Sequence, residues 1–211
     1  MSYAALRGKC RSCHKQISPA YPLLEITLGA LFALLYIRFA SLLSGIDLYI
    51  VFILYLDVIA ALTIVFLIDA KTYLIPDIIT IPGIVIYLLF ALVAIVGGYD
   101  FLIYQATWAH LILGILIGGG LFLLLVVGTK GRGMGWGDVK LGTLLGIVLG
   151  YPLIIVALFL SCILGSFYAL SLVVMKRKTL KDPIPFGPFL VLGALIALFF
   201  GKYIIAWYLG V

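Results

Sequence analysis

Charged residues are scarce in this sequence, and their scarcity excludes the usual composition of a soluble domain. Only 10% of the 211 residues are Asp, Glu, Lys or Arg, whereas 65% are hydrophobic and the mean hydropathy is +1.32. A soluble globular domain is about half apolar and about a quarter charged. The composition therefore indicates a protein that lies mostly within a membrane.

The alternating apolar and polar pattern of barrel strands is also missing from the long apolar runs. Helices and closed barrels are the two structures that satisfy backbone hydrogen bonds in lipid, so helices remain. A helix needs about 20 apolar residues to cross the hydrocarbon core. We predict an all-α polytopic membrane protein with one short or partial span at 139–150 and about six full transmembrane helices, at 22–43, 47–68, 78–97, 107–128, 153–175 and 188–208.

Two regions differ in polarity. Residues 1–21 form a short basic N-terminal segment with one Cys-x-x-Cys motif, and residues 22–211 form the predicted transmembrane domain. No separate soluble domain is expected, because the other polar stretches are only loops.

Positive charge is absent from one set of loops. The loops near Asp47 and Asp100 carry no Lys or Arg, whereas twelve basic residues fall on the opposite side when the segments are threaded alternately. The positive-inside rule makes the basic side cytoplasmic. The net charge of +6 is therefore a topology signal and gives no reason to expect a nucleic-acid partner. The basic residues are Arg7, Lys9, Arg11, Lys15, Lys71, Lys130, Arg132, Lys140, Lys176, Arg177, Lys178 and Lys181.

Acidic residues number only eight, and two of them stand in distinctive surroundings. Asp69 ends the second predicted helix, and Asp138 follows a glycine-rich loop at the start of the short segment. The predicted topology places both at the cytoplasmic face. Two carboxyl groups a few ångströms apart share one proton, so the charged member can activate water while the neutral member polarises a carbonyl. A lone aspartate at a helix end is usually a solvated cap, and Asp77 fits that description.

Residues next to the two aspartates suit the approach of a peptide. Gly135 and Gly137 remove side chains beside Asp138, which permits close backbone contact or a positive φ. Pro76 favours an extended Ile75 and is expected to end any helix that continues from Asp69.

Together these motifs resemble the type 4 prepilin peptidase family of GxGD-type aspartic proteases. The matching features are Asp69 with Pro76 seven residues later, the element Gly135-Trp136-Gly137-Asp138 followed by Lys140, and the late loop Ile184-Pro185-Phe186-Gly187-Pro188. The resemblance implies catalysis by Asp69 and Asp138, with Gly135, Gly137, Pro76 and Lys140 supporting the substrate site. It also implies an inner-membrane enzyme whose partners are prepilins or pseudopilins, the membrane proteins from which it cleaves basic leader peptides at the cytoplasmic face.

Cys10 and Cys13 have the spacing of half a zinc site. Longer members of the family carry an earlier helix and another Cys-x-x-Cys, which these 211 residues lack, and commonly methylate their product with S-adenosylmethionine. The peptidase chemistry requires no cofactor. Zinc would need further ligands, from His14 or a second protomer, and S-adenosylmethionine is relevant only if a methyltransferase region is functional.

Two other functional classes remain open. A proton- or cation-coupled transporter would depend on Asp57, which lies near the middle of the second predicted helix, where ionisable residues are costly. A catalytically silent scaffold for pilus or secretion assembly would need neither aspartate. A presenilin-like protease is the nearest enzymatic alternative, since Gly-x-Gly-Asp also occurs in that group.

Overall fold

The computed structural model describes residues 3, 6, 8–40, 46–98, 107–131, 133–179 and 182–210. Arg7, Arg132, Lys181 and Asp100, which entered the topology argument, lie outside the described residues, as does the side chain of Asp47.

The described chain is all helical apart from turns and one isolated bridge, Lys9 to Gln16, which confirms the predicted fold class. Within those ranges the helices are α1 (Ala20–Ala40), α2 (Ile46–Thr72), α3 (Asp77–Gly97), α4 (Trp108–Gly128), α5 (Trp136–Leu149), α6 (Leu153–Val174) and α7 (Gly187–Leu209). All except α5 include a stretch long and apolar enough to cross a membrane. Helix α5 has 14 residues, about 21 Å, against a hydrocarbon core of about 30 Å.

Two helix bounds differ from the prediction in a way that matters for the site. Helix α2 continues to Thr72, four residues beyond the predicted end, because Tyr73 adopts a left-handed φ of 59° and stops it there. Helix α5 begins at Trp136 instead of 139, so Asp138 lies in its first turn. Both aspartates are therefore held by helical backbone.

The chain divides into two compact units, Met1–Ala60 and Ala61–Val211. In the first unit the N-terminal segment folds on itself, with the Cys10 N–H donating to the Lys15 carbonyl at 2.9 Å. An edge-to-face contact between Tyr36 and Phe52, with ring centroids 5.9 Å apart, joins α1 to α2 within this unit.

Helix α5 is the centre of the second unit. It packs against α3, α4, α6 and α7, and most of its residues from Leu141 onward are buried. Because these neighbours pack around it, the surrounding spans hold α5 in place and fix the position of its first turn.

Glycines set the distance between α4 and α5. A Cβ added at Gly114 would collide with the Gly146 carbonyl, and one at Gly118 would collide with the Gly142 carbonyl. Gly114 and Gly118 are four residues apart in α4, as are Gly142 and Gly146 in α5, so each helix presents both of its glycines on one face. Helix α4 forms a π-helical turn at Leu116–Gly120, beside this contact. Within this turn Gly119 also lies against α5, since a Cβ there would overlap Thr143 Oγ1.

We expect Gly146→Ala to lower the free energy of unfolding by about 2 kcal/mol or more, because the added methyl group meets backbone atoms of Gly114 and Ile115 that cannot rotate away. Gly29→Ala is the matched control, since a Cβ there meets nothing within 4 Å. Unfolding in mixed detergent micelles measures both. Equal stability of the two variants would contradict the close packing of α4 on α5.

Candidate active site

Asp69 lies in the last turn of α2, where the helix ends abruptly. Its side chain is only 4% exposed. The backbone carbonyl of Asp69 accepts a hydrogen bond of 2.9 Å from the Tyr73 N–H, which closes the helix as the chain turns away. The carboxyl group is thus carried on a rigid element and faces the interior of the second unit.

Pro76 directly precedes α3. Its φ of −72° and ψ of 122° are extended, and the non-helical residues Leu74–Pro76 connect α2 to α3. The predicted break in the helix after Asp69 is confirmed, although it comes at Tyr73 and not at the proline itself.

Asp138 is held by the backbone that precedes it. The Gly135 N–H donates a hydrogen bond to Asp138 Oδ2 at 3.2 Å, and the Asp138 N–H donates to the Gly135 carbonyl at the same distance. Glycine has no side chain, so this is one half of a capping box, with the aspartate satisfying an otherwise unpaired donor at the helix start.

Neither glycine beside Asp138 has a positive φ, and only Gly137 permits a close approach. Gly135 is extended, with φ −86° and ψ 156°. A Cβ at Gly137 would lie 2.9 Å from Ile75 Cβ, closer than two such carbons can pack. Gly137 therefore lets the start of α5 contact the segment that leads into Pro76.

One cavity of about 920 Å³ is lined by both aspartates. Its walls are the Leu74–Pro76 segment, the glycine-rich loop, Trp136 and residues 183, 184 and 186 of the last loop, and the lining is mainly apolar. Trp136 and Leu74 are 60% and 69% exposed. One accessible space thus contacts both Asp69 and Asp138, and their joint role in catalysis stays a prediction.

The electrostatics of Asp138 reflect this neighbourhood. Burial raises the pKa of the Asp138 carboxyl to about 6, the Gly135 N–H lowers the pKa in part, and the negative charge of Asp69 raises it further. Such a carboxyl group can change its protonation state near neutral pH, which an exposed aspartate cannot do.

Asp69 has a different environment. Its Oδ2 atom is buried and has no hydrogen-bond partner in the described part of the chain. The backbone N–H of Gly187, the first residue of α7, interacts with this carboxyl group without completing a hydrogen bond to Oδ2. The motif around Gly187 was noted in the sequence, but its contact with Asp69 was not foreseen.

Lys140 follows Asp138 by two residues in α5 and is not part of the cavity lining. Its Nζ atom pairs with both carboxylate oxygens of Asp77 at 2.7 Å, linking α5 to the start of α3. Both side chains are partly exposed, so the pair contributes about 0–1 kcal/mol. A role of Lys140 in the substrate site stays a prediction, and Asp77 has a partner that the sequence did not reveal.

A second polar contact, between Lys178 and two residues that line the cavity, has no signal in the sequence either. Lys178 Nζ donates to the Pro183 carbonyl at 2.7 Å and to the Tyr73 hydroxyl at 3.2 Å. Residues 73 and 178 are 105 positions apart, and no motif connects them.

The N-terminal cysteines supply two thiol groups to any metal. Among the residues that the structure describes, no group of three or more His, Cys, Asp or Glu side chains comes together. Cys10 and Cys13 alone do not complete the four ligands of a structural zinc site, so the described chain does not fit zinc without additional ligands.

The helices and the carboxyl-lined cavity together define a multi-pass membrane protein with a candidate acid–base site. Residues 56–170 match the Type IV leader peptidase family, and residues 1–39 match the Bacterial Peptidase A24 N-terminal domain. The chain belongs to the type IV leader peptidase family.

Similar proteins include the prepilin leader peptidase/N-methyltransferases of Aeromonas hydrophila and Bacillus subtilis. The Aeromonas protein is 36% identical over 209 residues, which cover 99% of this chain and 68% of that protein. The Bacillus protein is 32% identical over 213 residues, covering 99% of this chain and 77% of that protein. No solved structure matches the chain significantly.

We expect stability to depend on pH through Asp138. Its folded-state pKa of about 6 is above the ordinary value of 3.8, so the folded state binds the proton more tightly. This contribution to the free energy of unfolding is present below about pH 4 and is lost as the pH rises through about 6. Between pH 4 and pH 7, the free energy of unfolding of the wild type should fall by roughly 1–3 kcal/mol relative to that of Asp138→Asn. Detergent unfolding of both proteins across this range measures the difference, and parallel curves would contradict the burial of Asp138.

Proposed function

We propose that this chain is a membrane-embedded aspartic endopeptidase that removes leader peptides from type 4 prepilins or pseudopilins. The observation that carries the proposal is a cavity lined by both Asp69 and Asp138, in which burial, and to a smaller extent the charge of Asp69, raises the pKa of Asp138. Membership of the leader peptidase family and the names of the similar proteins support the substrate class.

The proposed chemistry needs only water and the two acids. The ionised carboxylate accepts a proton from water as the oxygen attacks the scissile carbonyl, and the protonated carboxyl group donates a hydrogen bond to that carbonyl oxygen. Proton transfer to the leaving amine then completes hydrolysis. Because the pair titrates as a unit, neither role belongs permanently to Asp69 or to Asp138.

The walls of the cavity suit an extended substrate. The Leu74–Pro76 segment is non-helical, and in the loop at Gly133–Gly135 two of the three residues carry no side chain, on either side of Met134. The exposed Trp136 and Leu74 offer apolar surface beside Asp138. A leader peptide that unwinds next to its hydrophobic helix has these properties: an accessible backbone with an apolar segment following.

We place the cavity at the cytoplasmic face of the inner membrane. The charge asymmetry of the loops supports this orientation through the positive-inside rule. A basic leader would be attracted to the anionic headgroups of that leaflet, and the substrate helix in the bilayer would bring it to the level of the aspartates.

The proposal covers proteolysis and not methylation. Peptide hydrolysis by two carboxyl groups requires no cofactor, whereas methylation requires S-adenosylmethionine as methyl donor and is not part of the two-carboxyl chemistry.

We expect Asp69→Asn and Asp138→Asn each to reduce kcat/KM for a prepilin-like substrate by at least about 10²–10⁴-fold, the range that acid–base groups contribute. Both substitutions are nearly isosteric, so the proteins should fold. The assay is cleavage by purified protein in bilayers, with size-exclusion profiles and thermal unfolding recorded on the same preparations.

Two further variants serve as controls. Asp77 also lines the cavity, but its carboxylate already pairs with Lys140, so Asp77→Asn should lose a partly exposed ion pair and retain most activity. Asp57→Asn addresses the transporter alternative, and we expect it to leave cleavage largely intact because Asp57 is exposed and does not line the cavity. Robust cleavage by either Asp69→Asn or Asp138→Asn would contradict the two-aspartate mechanism.

A further inference from the structure

Gly187, the first residue of α7, touches the carboxyl group of Asp69. A Cβ built at this position would lie 3.0 Å from Asp69 Cγ and 3.4 Å from Asp69 Cβ, and would overlap Oδ2. Gly187 needs no special backbone conformation, because no left-handed φ is found there. The neighbouring carboxyl group, and not the backbone conformation, therefore requires that residue 187 has no side chain.

The second observation concerns Asp69 itself. Its side chain is 96% buried, and Oδ2 has no hydrogen-bond partner among the described residues. The carboxyl group nevertheless interacts with the Gly187 N–H, at the N-terminus of a 23-residue helix. The first N–H groups of a helix have no partner within it, and they carry the positive end of the helix dipole.

The start of α7 is itself anchored. Phe186 precedes the helix and packs edge-to-face against the buried Phe122 of α4, with ring centroids 5.9 Å apart. Pro188 occupies the first turn, where its fixed φ suits a helix start. The Gly187 N–H therefore projects from a rigid element and is not carried by a mobile loop.

We propose that Gly187 is a positioning residue for proteolysis, whose backbone N–H and missing side chain hold the Asp69 carboxyl group in its reactive orientation. The inference rests on the proposed function, since it assigns Asp69 a catalytic role. In this proposal the late Pro-Phe-Gly-Pro loop positions the N-terminus of α7 against Asp69. The glycine-rich loop likewise leads into the N-terminus of α5, which carries Asp138.

A purely structural role for the glycine predicts a different outcome. Gly193 in the same helix is the matched comparison, because it lies about two turns after Gly187 and a Cβ there would collide with the Ala157 carbonyl and Ser161 Oγ of α6. Replacement of Gly193 should therefore loosen the α6–α7 contact without touching either aspartate. Gly165 provides a mild control, since its Cβ would make an ordinary contact of 3.4 Å with Phe189.

The first test is steady-state cleavage of a prepilin-like substrate by Gly187→Ala, Gly193→Ala and Gly165→Ala. For Gly187→Ala we expect kcat to fall about 100-fold, the scale of a displacement of about 1 Å at a reacting group, with KM and the unfolding midpoint little changed. Gly193→Ala should instead lower the unfolding midpoint while folded molecules keep their kcat. Wild-type kcat in Gly187→Ala, or a loss explained by unfolding, would overturn the inference.

The second test does not depend on activity. In protein labelled with ¹⁵N-glycine, the Gly187 amide signal is assigned by its absence from the Gly187→Ala spectrum. We expect Asp69→Ala to shift this signal, because the carboxyl group next to Gly187 is lost, while Asp77→Asn leaves it in place. An unchanged Gly187 signal in folded Asp69→Ala would overturn the contact.

The two tests separate the inference from the function on which it rests. If Asp69→Asn cleaves substrate as well as the wild type, the aspartic mechanism fails, whatever the amide signal shows. If Asp69→Asn is inactive and Gly187→Ala is fully active, the mechanism survives and the positioning role of Gly187 is wrong.

Discussion

The close approach of α4 and α5 is the constraint on which the second unit depends. Glycines at 114 and 118 face glycines at 146 and 142 so closely that any side chain would meet backbone. In a membrane the attraction between helices comes from packing and not from hydrophobic burial, so small residues are needed where backbones meet. This contact makes a 14-residue helix central and buried. Its first turn, with Asp138, is consequently held in one place.

Helix ends rather than loops carry the polar groups of the candidate site. Asp69 closes α2, Asp138 accepts from the backbone at the start of α5, and Gly187 begins α7. Ends of helices supply unpaired N–H groups in a region where other polar partners are scarce. A buried acid, Asp69, and a half-buried one, Asp138, can therefore line one cavity while rigid backbone fixes their positions, and burial raises the pKa of Asp138.

The aspartates were identifiable from the sequence because acids are rare in this chain and each stands in a recognisable pattern. Pro76 likewise predicted that the helix carrying Asp69 ends before the proline. The contacts of these residues were not identifiable. Lys140 pairs with Asp77 across 63 positions, and Lys178 reaches Tyr73 across 105. Such pairs leave no local signal, since the residues are typical surface side chains whose proximity depends on how the helices pack.

The sequence by itself determined the all-α membrane fold, the approximate spans and the two acids, because hydropathy and residue rarity are local properties. Only the tertiary structure decided that one cavity contacts both acids. The same holds for the contact of Gly137 with Ile75 and for that of Gly187 with Asp69. These relations join segments from three separate parts of the chain. Their physical basis is the exclusion of side chains where backbones or carboxyl groups meet, and that exclusion is visible only when the helices are assembled.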